Sequence, residues 1–392
     1  MAGSFTSGLP VLIVGGGVAG LALAQGLRLR SIPFRLFERY PQSHSSQGHR
    51  FHISKEGHDA LLSVLSADLR DLLRRTAPDG SPFTPRYVDA RKLEFPEPTP
   101  AGADTLAVDR PWIRLLTSLD IEDAIEYEKE FESYEVVDDQ VLARFTDGSL
   151  VHGRLLVGAD GIRSRVRAQL QPDRKLLDLE RWLLWARTPL TESLKSAIPA
   201  DLLTWCMYAD REANVQVVAE SVMWSKRVAR ESEHRLPDFT SYVYWVICTA
   251  PYQFAETLPK TVAEKKLFLE RATKGWHPAL RLLLQSANHE QSACVPVLSS
   301  KPDIELRSTE QTGRVTLLGD AAHVMSPMGG AGGDTAIRNA ADLARTIGEK
   351  GISSTSIAEF EASMEALAKE KIEHSFMNGQ KFWRGKEWTE YR

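Results

Sequence analysis

A short apolar run that stops at a glycine-rich turn constrains the fold of this chain more than any other feature. Residues 9–14 are mostly aliphatic and β-branched, as in a buried parallel strand. The turn that follows has the spacing G-x-G-x-x-G, with glycines at Gly15, Gly17 and Gly20. In such a turn the first glycine permits a tight bend, the second lets backbone amides approach a pyrophosphate, and the third allows close helix–strand packing. The spacing therefore predicts the strand–turn–helix unit that opens a dinucleotide-binding fold.

The next segment of the chain favours the same interpretation. Residues 18–29 predict a helix, whose N-terminal amides and dipole attract phosphates. A second strand over residues 34–37 ends at Glu38, about twenty residues beyond the glycines, where a carboxylate accepts hydrogen bonds from an adenosine ribose. An acid at this place favours FAD or NAD over NADP, and we expect the next residue, Arg39, to face the adenine edge or solvent. A packing role for the glycines alone is the alternative.

Composition narrows the class of protein. The chain has 392 residues, of which 43% are hydrophobic and 26% charged, and this is enough for a large core. Its net charge of -4 gives no reason to expect nucleic acid or an anionic membrane as a partner. The three cysteines predict neither a metal site nor a disulfide framework, because their spacing fits neither. Since polar residues and glycines interrupt its apolar runs, we expect a cytoplasmic protein without a membrane span.

Two further segments carry strand–turn–helix patterns, one near the middle of the chain and one near its end. Residues 154–157 predict a strand that leads into Asp160 and Gly161, and then into a helix start with arginines near phosphates. Residues 315–318 predict another buried strand, which is followed by a glycine-rich loop. A dinucleotide site assembled from both ends of a chain indicates one integrated catalytic domain rather than a string of modules.

Together the three segments resemble the flavin-contacting motifs of the single-component FAD-dependent monooxygenases typified by para-hydroxybenzoate hydroxylase. The resemblance covers nearly the whole chain and is weakest between residues 170 and 300. It implies an α/β fold: a Rossmann-like FAD-binding domain, an inserted mixed β-sheet substrate domain and C-terminal helices. We expect the FAD-binding domain to begin over residues 1–174, with a helical and strand insert near 55–110. The substrate domain would then occupy residues 175–300, and residues 301–392 would complete the fold.

The resemblance also implies roles for individual residues. In the family, the segment around Asp160 touches the FAD pyrophosphate and helps to bind the pyridine nucleotide. The aspartate that matches Asp320 hydrogen-bonds the ribityl chain, and the arginine that matches Arg110 reaches the phosphate or ribityl region from a helix start. The predicted FAD contacts are Gly15, Gly17, Val18, Ala19, Gly20, Glu38, Arg39, Gly48, Arg50, Arg110, Asp160, Gly161, Gly319, Asp320, Gly332 and Gly333.

Two positions depart from the family pattern. Position 334 usually carries Asn and here carries Asp334, whereas position 339 usually carries Asp and here carries Asn339. One interpretation is a compensated exchange that conserves the local charge. The other is that an ionised Asp334 near the flavin pyrimidine disfavours the anionic reduced state, which would change the flavin potential. For the nearby His323 a scaffolding role is expected rather than that of a catalytic base.

Aromatic strand-like runs in the middle of the chain resemble the sheet that covers the substrate pocket in this family. These runs lie at residues 181–188, 201–208, 215–222 and 240–249. Their tryptophans and tyrosines either pack between layers or line a pocket for an aromatic or polycyclic substrate. Two catalytic candidates follow from the resemblance: Arg187, which some relatives aim at a phenolate, and Pro327, which begins the loop at flavin C4a.

The activity implied by the resemblance is that of an FAD monooxygenase in secondary metabolism. NADPH or NADH would reduce FAD, O2 would add at flavin C4a, and the hydroperoxide would hydroxylate or epoxidise an aromatic or polycyclic small molecule. A monomer or homodimer is expected. Two alternatives remain: a dehydrogenase on the same fold, and a non-redox FAD-containing isomerase or cyclase, which only the exchange at Asp334 and Asn339 favours.

Overall fold

The computed structural model describes residues 8–44, 50–79, 85–97, 105–306 and 313–392; Gly48 lies outside them. Within these ranges the strands are β1 Val11–Val14, β2 Phe34–Phe37, β3 Arg50–Ile53, β4 Arg86–Asp89, β5 Leu106–Asp109, β6 Ile125–Glu126, β7 Phe131–Val137, β8 Gln140–Phe145, β9 Leu150–Gly153, β10 Leu155–Gly158, β11 Leu177–Pro189, β12 Cys206–Asp210, β13 Val215–Val222, β14 Tyr242–Thr249, β15 Ala293–Ser299 and β16 Val315–Leu317. The α-helices are α1 Val18–Leu29, α2 Lys55–Val64, α3 Ala67–Thr76, α4 Arg110–Ser118, α5 Arg165–Leu170, α6 Glu192–Ala197, α7 Val228–Glu231, α8 Val262–Ala272, α9 Pro278–Gln285, α10 Asp320–His323, α11 Gly332–Lys350 and α12 Ser354–Trp383.

A parallel sheet brings the three glycine-rich segments together. Its strand order is β16-β10-β1-β2-β6, and every neighbouring pair runs parallel. Val14 is paired with Phe37 on one side and with Gly158 on the other, and Gly158 is paired with Leu317. Because parallel strands share the edge at which their carboxyl ends lie, the turns after β1, β10 and β16 meet there. This arrangement confirms the predicted α/β, Rossmann-like fold.

A mixed sheet forms the second layer and carries most of the aromatic residues noted in the sequence. Its strand order is β15-β11-β14-β13-β12-β4, in which only β4 and β12 run parallel to each other. β13 spans Val215–Val222, as predicted. Helices α8 and α9 cover one face of this sheet, where Trp245 and Tyr208 are fully buried. The other face is directed toward the cavity described below.

The prediction of a strand over residues 201–208 was wrong at its beginning. The structure has a 3-10 helix at Ala200–Leu203 and starts the strand only at Cys206. Asp201 lies in that tight turn, where its carboxylate accepts a hydrogen bond of 2.7 Å from Arg86. Aspartate favours turns, and this ion pair from the neighbouring strand stabilises one here.

The long helix α12 ties the end of the chain to the mixed sheet. The side chain of Ser353 caps its start in a capping box with Ser356. At its other end, the carbonyl of Trp383 accepts hydrogen bonds from Arg181 on β11 and, at 3.1 Å, from Asn214 beside β13. Although α12 has 30 residues, no helix in the described ranges is long and apolar enough to cross a membrane.

Candidate cofactor and substrate site

The turn after β1 has the geometry that its three glycines predict. Gly15 has a φ of +113°, and a Cβ there would lie 2.3 Å from the carbonyl oxygen of Ala159. A Cβ on Gly20 would lie 2.0 Å from the carbonyl oxygen of Gly15, so the helix packs directly on the turn. A Cβ on Gly17, in contrast, would meet nothing within 4 Å. Gly17 therefore opens onto free space at the N-terminus of α1, where backbone amides attract an anion.

Glu38 lies beside this turn at the end of β2. Its side chain is buried, and Oε2 accepts a hydrogen bond of 2.8 Å from the backbone N–H of Gly16. Oε1 accepts one of 3.0 Å from the N–H of Tyr40. Because a carboxylate oxygen has two lone pairs, each oxygen can also accept a hydrogen bond from a ribose hydroxyl. Arg39 is exposed and its guanidinium lies 4.7 Å from the ring centroid of Tyr40.

The turn after β10 is built around Asp160. Its Oδ2 accepts hydrogen bonds from the N–H groups of Arg165 at 2.8 Å and Val166 at 3.3 Å, whereas its Oδ1 has no partner. Burial raises the pKa of Asp160, against the effect of its hydrogen bonds. The adjacent Gly161 has a φ of +77°, and a Cβ there would meet nothing within 4 Å. A polar group and open space thus lie side by side.

Arg167 joins the second segment to the third. Its Nη2 donates a hydrogen bond of 2.6 Å to the carbonyl of Ile162, and its Nη1 donates to the carbonyls of Ala321 at 3.1 Å and Asp320 at 3.3 Å. Arg165 pairs instead with Glu130 at 2.6 Å on the surface. The guanidinium of Arg167 is therefore a structural link between the two turns.

Asp320 and Arg110 both line the cavity, and their charges interact. Asp320 begins α10 after Gly319, which has a φ of +57°, and its side chain is exposed to the cavity. Asp109 caps α4 by accepting a hydrogen bond of 2.8 Å from the N–H of Trp112, which places Arg110 at the first turn of that helix as predicted. Burial lowers the pKa of Arg110, whereas the charge of Asp320 raises it. The Nε of Arg110 has no partner.

The glycine-rich loop between α10 and α11 packs closely against β3. Pro327–Gly329 forms a 3-10 turn, and α11 begins at Gly332. A Cβ on Gly333 would lie 2.5 Å from the ring of Phe51, and the guanidinium of Arg110 lies 5.6 Å from the same ring. The absence of a side chain at Gly333 therefore lets the start of α11 pack against Phe51.

The exchanged pair at positions 334 and 339 has two separate sets of partners. Asp334 Oδ1 accepts hydrogen bonds of 2.8 Å from both the N–H and the hydroxyl of Ser54, and Arg338 lies 3.7 Å from Oδ2. Asn339 Oδ1 lies 2.8 Å from Nε2 of His323, which is completely buried. Burial lowers the pKa of His323, and because an amide oxygen can only accept, Nε2 is the donor in this contact. Asp334 and Asn339 thus each have protein partners, and both interpretations of the exchange stay predictions.

A single cavity of about 1590 Å³ extends from these turns to the mixed sheet. Its wall on the nucleotide side includes Gly15, Glu38, Asp160 and Asp320. Its wall on the sheet side is mainly apolar: Leu183, Trp185, Met207, Val218, Tyr244, Val246 and Val295. Pockets for one drug-sized ligand measure roughly 300–1,000 Å³, so this cavity has space for two molecules side by side.

A buried charged cluster lies where the two walls meet. Glu220 on β13 accepts a hydrogen bond of 2.8 Å from Arg50 and lies 2.9 Å from Nε2 of His52. Arg50 also donates to the carbonyl of Ser221 at 2.5 Å, and Nδ1 of His52 lies 3.1 Å from the hydroxyl of Thr105. Burial lowers the pKa of Arg50, while Glu220 opposes that effect. Arg50 therefore contacts the sheet rather than the turn after β1.

Arg187 is not among the described residues that line the cavity. Its guanidinium lies 3.8 Å from Asp109 and 4.5 Å from the ring centroid of Tyr242. Tyr242 in turn donates a hydrogen bond of 2.6 Å to the buried Asp109. Burial raises the pKa of Asp109, which this hydrogen bond and Arg187 oppose. Arg187 follows Trp185 on the same face of β11, and its guanidinium contacts Asp109 and Tyr242. Its contact with a substrate phenolate stays a prediction.

Sequence analysis missed three polar residues of the cavity wall. His52 lies two residues after Arg50 on β3, and this alternation could have placed both on one face. Glu220 and Gln216 are polar residues inside an otherwise apolar strand, which is a signal for a binding role. No local pattern, however, indicates that Glu220 would pair with residues about 170 positions away.

Comparisons with known proteins agree with this geometry. A family profile described as FAD binding domain matches residues 250–353. A dual O-methyltransferase/FAD-dependent monooxygenase of Phaeosphaeria nodorum is 32% identical over 86% of this chain, but the chain spans only 40% of that relative. An aurachin C monooxygenase/isomerase of Stigmatella aurantiaca is 25% identical, over 95% of this chain and 90% of its own length. The solved structure of a candidate FAD-containing monooxygenase from Photorhabdus luminescens superposes with a TM-score of 0.82 at 25% identity, covering 96% and 99% of the two chains.

Proposed function

We propose an activity from one premise: the chain belongs to the family of single-component FAD-dependent monooxygenases typified by para-hydroxybenzoate hydroxylase. It is an FAD-dependent monooxygenase that uses NADPH or NADH and O2 to hydroxylate or epoxidise an aromatic or polycyclic small molecule in secondary metabolism. The observation that carries this proposal is the cavity. It extends from the edge of the parallel sheet where the glycine-rich turns meet to the mixed sheet, whose facing side chains are mainly apolar.

The polar groups on the nucleotide side fit FAD. Asp160 Oδ1 and Arg110 Nε are buried without partners, as expected of groups whose partners belong to a ligand. Gly17, Gly161 and Gly330 leave open space in which phosphates or a flavin can lie against the backbone. Glu38 would bind the adenosine ribose and the N-terminus of α1 the pyrophosphate. Asp320 would bind the ribityl chain.

When bound, FAD supplies the redox chemistry, since it takes hydride from a nicotinamide and activates O2. The loop that begins at Pro327, together with Gly332 and Gly333 at the start of α11, would hold it. The positive end of that helix would stabilise negative charge on the reduced ring. Asp334 does not cancel this effect, because Ser54 and Arg338 bind its carboxylate.

The charged cluster on β13 can move a proton at the substrate. Glu220 lines the cavity and can accept a proton from a substrate hydroxyl, which makes the ring more electron-rich. His52 lies between Glu220 and the hydroxyl of Thr105, so the proton can pass from Glu220 to a neighbouring group of the cavity wall. Arg50 keeps Glu220 in place and stabilises the negative charge that the substrate oxygen acquires. The apolar remainder of the sheet excludes water from the reacting groups.

The test is an anaerobic titration of the FAD-loaded protein with NADPH or NADH, with and without phenolic and indolic substrates, followed by admission of oxygen. We expect the substrate to accelerate bleaching of the flavin, and the oxygen to give an oxygenated product whose added atom derives from 18O2. Protein without substrate is the control for uncoupled oxidation. Bound FAD that never bleaches in the presence of a ligand shown to bind would contradict the proposal.

A second candidate is a non-redox isomerase activity. The relative from Stigmatella aurantiaca combines the words monooxygenase and isomerase in its name, and it matches this chain along most of its length. The same titration separates the two, because an isomerisation converts its substrate without incorporating oxygen from 18O2.

A further inference from the structure

Strand β13 carries polar side chains at two separate positions along the cavity wall. Gln216, Val218 and Glu220 alternate along the strand, so they point to the same face of the mixed sheet, and all three line the cavity. Four residues of extended strand separate Gln216 from Glu220 by about 13 Å. The level between them is apolar, since Val218 lies between Val246 and Met207 in the cross-strand register. The wall is therefore polar at both ends and apolar between them.

The amide of Gln216 is held in one orientation and has an acceptor to spare. Asn214 Nδ2 donates to the carbonyl of Trp383, so Asn214 Oδ1 is left to accept a hydrogen bond of 3.0 Å from Gln216 Nε2. In this chain of hydrogen bonds the Oε1 atom of Gln216 has no partner, although the residue is only 6% exposed. A buried acceptor without a partner is unfavourable in a folded protein and marks a place where a ligand or water binds.

Trp185 provides an unused donor on the same wall. It lies on β11, where the register pairs it with Val246 of β14, and it lines the cavity. Its indole Nε1 is buried without a partner. Gln216 lies on the opposite side of β14, paired with Cys248. A molecule that lies over Val246 and Cys248 would therefore have a donor on one side and an acceptor on the other.

We propose that Gln216 and Trp185 form a far subsite, which binds a polar group at the end of the substrate opposite to Glu220. The proposal rests on the proposed function and adds a requirement to it: the substrate is a flat, elongated aromatic molecule with hydrogen-bonding groups at both ends. A hydroxyl at the far end donates to Gln216 Oε1, and a hydroxyl or carbonyl oxygen accepts from Trp185 Nε1. Single-ring phenols reach one end only.

Two probes differ in the far group alone: 4,4′-dihydroxybiphenyl and 4-hydroxybiphenyl. Isothermal titration of the oxidised, FAD-loaded protein, without reductant, measures the binding of each. We expect the second hydroxyl to tighten binding to the wild-type protein about three- to tenfold, as one hydrogen bond to a buried partner does. Equal binding of the two probes, or binding of neither, would overturn the proposal.

Variants then locate the effect. Gln216→Met keeps the length of the side chain and Trp185→Phe keeps an aromatic ring, and each should reduce the preference for the diol. Glu220→Gln is the matched control on the same strand: it should weaken both probes by the same factor, so the preference remains. A preference unchanged in both far-subsite variants would contradict the assignment. Thermal unfolding shows whether each variant folds. If Gln216→Met does not fold, Trp185→Phe alone tests the assignment.

The binding assay also separates this proposal from the activity on which it rests. Preferential binding of the diol by a protein whose bound FAD never bleaches with NADPH or NADH would refute the monooxygenase and support the far subsite. Oxygenation of substrates by a protein that binds the two probes equally would support the monooxygenase and contradict the far subsite.

Discussion

Asp334 on α11 accepts two hydrogen bonds of 2.8 Å from Ser54, one from its backbone N–H and one from its hydroxyl. The same hydroxyl caps α2 by accepting from the N–H of Gly57. This carboxylate thus joins the starts of two helices. A Cβ on Gly57 would lie 2.0 Å from Asp334 Oδ1, so the contact leaves no space for any other residue there.

The first prediction concerns this carboxylate. Asp334→Asn should lower the free energy of unfolding by about 1 kcal/mol, because neutral acceptors bind N–H groups less strongly than charged ones. It should leave the flavin potential nearly unchanged, since the charge that is removed was already bound by Ser54 and Arg338. Denaturant unfolding and a redox titration measure the two effects, with the partly exposed Asp342→Asn as control. A markedly higher potential in Asp334→Asn would favour the alternative, in which this charge disfavours reduced flavin.

The second prediction uses two glycines of one turn that should respond in opposite ways. Gly17→Ala adds a methyl group only to open space, so the apoprotein should keep its stability while FAD affinity falls about tenfold or more. Gly20→Ala drives a methyl group against the carbonyl of Gly15 and should lower the free energy of unfolding by about 1–3 kcal/mol. Fluorescence titration with FAD and urea unfolding of the apoprotein separate the effects. Loss of stability in both variants would mean that Gly17 serves packing.

The third prediction tests the proton path from the substrate. Glu220→Gln keeps the hydrogen bond to Arg50 but cannot accept a proton, so kcat for product formation should fall about a hundredfold. FAD content and the rate of flavin reduction without substrate should change little. Glu212→Gln, whose side chain is 85% exposed, is the matched control. Unchanged turnover in Glu220→Gln would exclude this carboxylate as the proton acceptor.

The fourth prediction concerns stability against pH. Burial lowers the pKa of His289 from 6.5 to about 4, and neither ring nitrogen has a partner. Between these values the unfolded chain binds a proton that the folded chain excludes, so the free energy of unfolding falls as the pH drops through this range. We expect a loss of about 2–3 kcal/mol between pH 6.5 and pH 4 from this group.

Urea unfolding at several pH values measures this loss. His289→Gln, which cannot titrate, should flatten the profile over that range. The exposed His152→Gln should leave the profile as it is. Identical profiles for the wild-type protein and His289→Gln would show that the imidazole is hydrated in the folded state.

The parts of the site that the sequence predicts are those encoded by neighbouring residues. The spacing of Gly15, Gly17 and Gly20 specifies a turn by itself, because steric demands on a few consecutive residues determine its shape. The signal for the start of α4 at Arg110 is equally local, since the adjacent Pro111 suits the first turn of a helix. The predicted start of the strand over residues 201–208 was wrong, because the turn at that point is stabilised by Arg86, which lies far away in the sequence.

The substrate side of the site could not be predicted in this way. Whether Glu220 meets Arg50 depends on how β13 and β3 are brought together, and the alternation of each strand says nothing of that. The contacts of Arg187 are equally long-range: its guanidinium lies beside Asp109 and Tyr242, and its predicted contact with a substrate phenolate stays a prediction. Long-range contacts decide which polar residues of a sheet become a site.

The place of β16 in the parallel sheet has a consequence for how the chain is made. β10 lies between β1 and β16, and the guanidinium of Arg167 requires the carbonyls of Asp320 and Ala321. The ribosome therefore synthesises β10, at Leu155–Gly158, about 160 residues before its partner β16, at Val315–Leu317. Until then one edge of β10 is unpaired and apolar surface is exposed, which is the state that chaperones bind.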